Sequence, residues 1–209
     1  MNYLLVGMSF LAYCLSFGQL KAKKQIHRLN PARNNWLIEL PKQQLNGDFD
    51  GDGVEEILFE SLISRSTGIQ IDSLRFFGDY DNRNKLICDL DPELKLKSKS
   101  KKFDLNLVEH CQTFGILRII NLGNVNKTPG DEIALIINWA DWSNCNSCRI
   151  YSFNLEWKKE ISFEIHESTV FLNEWTDDEI KGVIEKESDG WYYCERHWEL
   201  GEIWHKLEL

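Results

Sequence analysis

Asp48-Phe49-Asp50-Gly51-Asp52-Gly53-Val54-Glu55-Glu56 sets carboxylates at alternate positions of a short, glycine-rich segment. Hard oxygen ligands in that pattern suit Ca²⁺, which takes about 6–8 oxygens at roughly 2.3–2.6 Å and tolerates irregular geometry. Without a cation, acids crowded into one turn repel one another. Gly51 and Gly53 allow the positive φ values that curl a chain around an ion. In this reading Asp48, Asp50 and Asp52 supply side-chain oxygens, Val54 its carbonyl and Glu56 the closing carboxylate. An EF-hand loop closes with a Glu at its twelfth position, which here is Phe59. Pro41 and Asn46-Gly47 also interrupt any incoming helix, and Ile57, Phe59 and Leu62 belong to a short β-like run. The plain alternative is a solvated turn, where Asp and Gly are favoured anyway. Such a turn needs one or two of these residues and does not account for the whole register.

A second copy lies 76 residues on, where Gly123 to Ile133 follows the register of Gly47 to Ile57. Asn124 falls on Asp48, Asn126 on Asp50, Thr128 on Asp52, Gly130 on Val54 and Glu132 on Glu56. Further along, Leu74 falls on Ile150, Phe77 on Phe153 and Ile87 on Phe163. Each copy is expected to be a loop, a following apolar strand and a β-hairpin. Asn and Thr in place of Asp leave the second loop one ligand-position carboxylate. It is a much weaker candidate for Ca²⁺, and better read as a turn held by its own side chains.

Gly47-Asp48-Phe49-Asp50-Gly51-Asp52-Gly53 with Glu56-Ile57 resembles the calcium loop of FG-GAP/VCBS repeats, found in integrin-α-type β-propeller blades. In that family the acidic loop joins the first two strands of a blade, and its positions one, three, five, seven and nine coordinate Ca²⁺. The resemblance covers residues 35–92 and 111–168 and implies blade-like sheets with Ca²⁺ as the bound ion. It implies neither a ring nor an adhesion partner, because a closed propeller needs at least four four-stranded blades.

These elements belong to a chain of predominantly β signals. Ile57-Leu58-Phe59 and Ile133 to Ile137 are strand runs. Arg149 to Phe153, a turn at Asn154-Leu155-Glu156, and Trp157 to His166 read as a hairpin. Trp191 to Trp198, a turn around Gly201, and Ile203 to Leu207 make a terminal hairpin over residues 189–209, expected to complete one of the blades. Trp175 to Lys181, with Thr176 as N-cap, reads as a short helix or turn. The expected fold is all-β: two blade-like antiparallel repeats, propeller-like but not a closed ring, with a C-terminal β-hairpin.

Tyr3 to Gly18 is an apolar run ending in small residues, shorter than the ~20 residues of a membrane span. Ser16 and Gly18 suit a signal-peptidase site, giving an exported chain, secreted or periplasmic, whose single β-rich domain spans 19–209. The rival is a lipoprotein signal with Cys14 as lipid acceptor. After signal removal no integral membrane segment is expected. A formal net charge of −9 argues against a nucleic-acid groove. The run Lys95 to Lys102 reads as a solvated linker between the repeats, or as a patch for anionic lipid or glycan.

Cys145-Asn146-Ser147-Cys148 reads as a local disulfide closing a polar turn. A thioredoxin-type motif is the weaker alternative, and a zinc site of Cys145, Cys148, Cys194 and His197 the sharper one. The five histidines show no metal-pair spacing. Trp139, Trp142 and Trp191 invite a carbohydrate-binding reading, although aromatics mostly fill β cores. Two functions follow: an exported calcium-binding module for an unidentified protein or glycan partner, or a secreted hydrolase or carbohydrate-active protein with a cleft between sheets. No catalytic residues are assigned.

Overall fold

A computed structural model describes residues 26–30, 35–109, 112–140, 145–166, 178–197 and 200–209. Sheet A joins β1 (Ile26–Asn30), β2 (Asn35–Glu39) and β5 (Ser73–Phe77) in that order. Sheet B is the meander β3 (Gln44–Gly47), β4 (Glu56–Ser64), β6 (Pro92–Lys97) and β7 (Leu105–Val108). Sheet C is the meander β8 (Thr113–Gly123), β9 (Glu132–Trp139), β10 (Cys145–Asn154) and β11 (Glu156–His166). Sheet D holds β12 (Ile184–Glu187), β13 (Gly190–His197) and β14 (Gly201–Lys206). Every pairing is antiparallel. The fold is all-β with open sheets, as the strand signals require.

Sheet C is the middle layer. Ile133, Leu135 and Ile137 of β9 share a core with Leu58 and Leu62 of β4 and with Leu94 and Leu96 of β6. The alternate residues Ala134 and Ile136 pack on the other side with Ile184 and Trp191 of sheet D. A strand covered on both faces reads as an unbroken apolar run, which explains Ile133-Ala134-Leu135-Ile136-Ile137. The β10–β11 hairpin turns where the sequence places it: Asn154 pairs with Glu156 around Leu155, which is left-handed at φ 66°.

The 76-residue equivalence holds through the first two strands of each blade and then fails. The loop joins β3 to β4 in one blade and β8 to β9 in the other. After β4 the chain leaves sheet B, adds β5 to sheet A and forms α1 (Tyr80–Leu90), then returns as β6. Leu74 and Phe77 therefore lie outside the sheet of their own loop, whereas Ile150 and Phe153 stay in sheet C with theirs. Ile87 is a buried helical residue, whereas Phe163 is on a strand. A cap pair stabilises this helix: the Asp79 side chain accepts from Asn82 N–H, and Asp91 closes the end in the left-handed region. These groups compete for backbone donors and acceptors that a hairpin would need.

Two further expectations are corrected. Residues 95–97 of the basic run are not a linker but the end of β6, with Leu96 buried and Lys95 and Lys97 half-buried on either side of it. The C-terminal hairpin completes neither blade and pairs with β12 to form sheet D. Residues 1–25, which carry the export and Cys14 readings, lie outside the described residues, as do Trp142 and Trp175 to Asp177. The described end of the proposed short helix is a bend and a bridge, with Ile180 pairing to Ile184.

Candidate metal centre

Residues 48–55 form the tight connection between β3 and β4, anchored by Phe49. Its ring is fully buried, 6.1 Å from Phe103 and 5.9 Å from Trp157. With Phe49 pulled inward, Asp48 and Asp50 remain on the loop's polar side beside Glu56. One carboxylate oxygen from each of Asp48, Asp50 and Glu56 lies within 4.8 Å of the others. Among the described residues this is the one acidic, His or Cys cluster of such geometry.

Backbone N–H groups preorganise the cluster. Asp48 accepts from Asp52 N–H at 3.0 Å and from Gly53 N–H at 2.9 Å, and Glu56 accepts from Phe49 N–H at 3.1 Å. Asp52 stays outside the three-acid group and accepts from Val54 N–H at 2.9 Å. Val54 is exposed. Burial, reinforced by the charges of Asp50, Asp52 and Asp48, holds the Glu56 carboxyl above its ordinary range. Asp50 is held below its range chiefly by a hydrogen bond from the Lys102 ammonium, which in turn is raised.

The second loop, residues 124–131 between β8 and β9, repeats the scaffold with opposite chemistry. Val125 N–H donates to Glu132 Oε2 at 2.6 Å, just as Phe49 N–H donates to Glu56. Thr128 N–H donates to Asn126 Oδ1 at 2.7 Å, as Asp52 N–H does to Asp50 at 3.3 Å. The loops diverge at their first position. Asn124 donates its amide to the Thr128 carbonyl, where Asp48 accepts from Asp52 N–H. Glu132 is 1 % exposed, and burial raises its carboxyl. The second loop thus satisfies itself with neutral groups, and its one buried acid is spent on Val125 and Asn126 N–H.

Loop packs on loop. Asp131 N–H donates to the Asp48 carbonyl at 2.8 Å, and Asp48 N–H donates to Asp131 Oδ2 at 3.1 Å. Asn121 donates to the same Asp131 oxygen and to the Asn46 carbonyl. Gly51, at φ +71°, is seated so closely that a Cβ would lie 2.4 Å from Pro129 Cβ. Gly130 meets the Phe49 carbonyl equally tightly. The sequence reading missed Asp131, Asn121 and Lys102. An acid next to Glu132 was visible; that it serves the other loop depends on the sheets packing.

The remaining candidates fall elsewhere. Cys145 and Cys148 are thiols and form no disulfide. Both lie in the extended β10, three positions apart, so they point to opposite faces with Cα atoms about 10 Å apart, beyond bridging reach. The same geometry keeps them from sharing one zinc ion. Cys148 is fully buried, and burial pushes its thiol up to about 12. Trp191 is a core residue donating to the Leu122 carbonyl at 2.8 Å. Trp139 is half-buried, stacks on Arg149 and donates to Ser147 Oγ. With Cys145, Ser162 and Glu164 they line an open groove of about 470 Å³. The register sets His166 directly across the strand pair from Cys145, one of the groove's lining residues.

No family model, curated protein or solved structure matches the chain. No helix among the described residues is long and apolar enough to cross a membrane.

Proposed function

We propose that the chain is an exported calcium-binding module of the FG-GAP/VCBS type, holding one Ca²⁺ in its first loop and serving a protein or glycan partner. The observation that carries this reading is the convergence of Asp48, Asp50 and Glu56 oxygens within 4.8 Å on a loop preorganised by its own N–H groups. Three hard anionic donors on an oxygen-rich loop suit Ca²⁺ better than a softer metal. Asp52 and the Val54 carbonyl are the further donors of the same loop. A bound dication would supply the charge that offsets the acids' mutual repulsion. The residues themselves fix the β3–β4 connection and, through Asp48 and Asp131, tie sheet B to sheet C.

Ligand binding to the native state alone raises stability by mass action. The melting temperature should therefore rise in millimolar CaCl₂ relative to chelator, and Asp50→Ala should remove most of that rise. An unchanged melting temperature in the unsubstituted protein counts against a structural calcium.

The hydrolase alternative gains one observation, the cross-strand pairing of His166 with Cys145, which lines the groove. Nucleophilic use of the thiol predicts that iodoacetamide modifies Cys145 faster than the exposed Cys88, and that His166→Gln abolishes the difference. Equal rates rule the pair out as a nucleophile and base.

A further inference from the structure

We infer that the outer edge of sheet D is a homodimer interface, where β14 of one copy pairs antiparallel with β14 of a second copy about Trp204; this stands apart from the calcium reading. Among the described residues β14 pairs with β13 alone, so one side of its backbone carries no ladder. The alternation of the existing ladder decides which groups face that side. Leu207 N–H donates to the Trp191 carbonyl at 2.7 Å, and bonded pairs in an antiparallel ladder recur at every second residue. His205 and Ile203 therefore stand in bonded pairs with Tyr193 and Glu195. Lys206, Trp204 and Glu202 fall in the non-bonded pairs, so their N–H and C=O groups point away from β13 to the open edge. The far side of β13 agrees: Cys194, the mate of Trp204, gives its N–H to the Val183 carbonyl at 2.9 Å.

A row of outward backbone groups is a template for another strand, which natural edges blunt with prolines, bulges or lysines. Strand β14 has no proline, an uninterrupted register and a single lysine. Its charges select the partner. Glu202 and Lys206 lie two residues either side of Trp204, so antiparallel pairing centred there sets Glu202 of each copy opposite Lys206 of the other. Centring on Glu202 or Lys206 opposes like charges, and so does parallel pairing in register. Centring on Ile203 or His205 leaves Lys206 opposite Leu200 or Trp204. Lys206 already holds Asp189 Oδ2 at 2.6 Å, and an ammonium has further donors for the second copy's Glu202. In the favoured register the outward residues exchange both backbone hydrogen bonds of each pair, joining two three-stranded sheets into one. Trp204, 41 % exposed on its own, is covered by its counterpart across the two-fold axis.

Sedimentation equilibrium of the chain, of Glu202→Lys, of Lys206→Glu and of the two variants mixed tests this. The unsubstituted chain should pass from monomer to dimer as its concentration rises through the micromolar range. Each variant puts like charges opposite one another twice across the edge, and should raise the dimer Kd about ten-fold or more. Mixed in equal amounts, they again set opposite charges at both positions, and the heterodimer should regain the unsubstituted affinity within a few-fold. Glu202→Lys leaves the Lys206–Asp189 pair intact, so it reads the edge even where Lys206→Glu disturbs the hairpin, a change that circular dichroism would register. A chain that stays monomeric at millimolar concentration overturns the interface, as does a dimer whose Kd Glu202→Lys does not move. Two folded variants that fail to associate on mixing overturn the pairing about Trp204.

Discussion

The loops at 48–56 and 124–132 share a scaffold and differ in what their side chains ask of the surroundings. Both close with a Glu accepting from the backbone of the loop's second residue, and both carry the same turn at the third and fifth positions. In the second, Asn124 and Thr128 answer one another with neutral donors and acceptors. In the first, Asp48 and Asp50 are acceptors only; Asp48 takes backbone N–H groups and Asp50 takes the Lys102 ammonium from another strand pair. Shape alone therefore does not make a metal site. What sets the first loop apart is surplus negative charge on that shape, and the neutral copy serves as the platform on which the charged copy is mounted.

The strongest way to break this comparison is through the loop's anchor. Phe49→Ala empties a fully buried aromatic site and should cost about 3–5 kcal/mol, read as a lower urea midpoint, with Ca²⁺ affinity falling too. A loss below about 1 kcal/mol would mean that Phe49 does not fix the loop.

The blades also differ at Glu60, whose counterpart in the 76-residue register is the apolar Ile136. Glu60 is buried between sheets B and C and accepts from Gln43 N–H and Ile116 N–H, each at 3.0 Å. Burial, only partly offset by Lys42 and these N–H groups, raises its carboxyl to about 7. A carboxyl raised in the folded state contributes stability that is complete below its unfolded value, near 4.5, and lost as pH climbs through about 7. Denaturation between pH 4.5 and 8 should show this loss, on the order of 3 kcal/mol. Glu60→Gln should flatten the profile; an unchanged slope would assign it to other groups.

A smaller effect sharpens the docking of loop on loop. Gly51 and Gly53 both have positive φ, at 71° and 86°, but a Cβ meets Pro129 at Gly51 and open space at Gly53. Gly53→Ala should cost about 1 kcal/mol from backbone strain alone. Gly51→Ala should cost clearly more in chemical denaturation. Equal losses would show that the two loops do not press together there.

Much of this was legible because loop chemistry and strand alternation are local. The acidic register, the turn at Leu155 and the buried run of β9 all follow from neighbouring residue types. Three things were hidden. Helix α1 buries Arg83, Asn84 and Ile87 and leaves Leu86 and Leu90 half-buried, so its apolar stripe is too sparse to announce a helix. The alternation Leu94-Lys95-Leu96-Lys97 is a strand pattern masked by its charge. Lys102 and Asp131 reach the site only because strands distant in sequence become neighbours, which local pattern does not encode.

Calcium stoichiometry by equilibrium dialysis tests the central claim most directly. The full chain should bind one Ca²⁺, Asp48→Asn with Asp50→Asn should bind none, and the triple change Asn124→Asp, Asn126→Asp, Thr128→Asp should raise the count to two. No Ca²⁺ on the unsubstituted chain, or one Ca²⁺ retained after Asp48 and Asp50 are neutralised, would contradict the account.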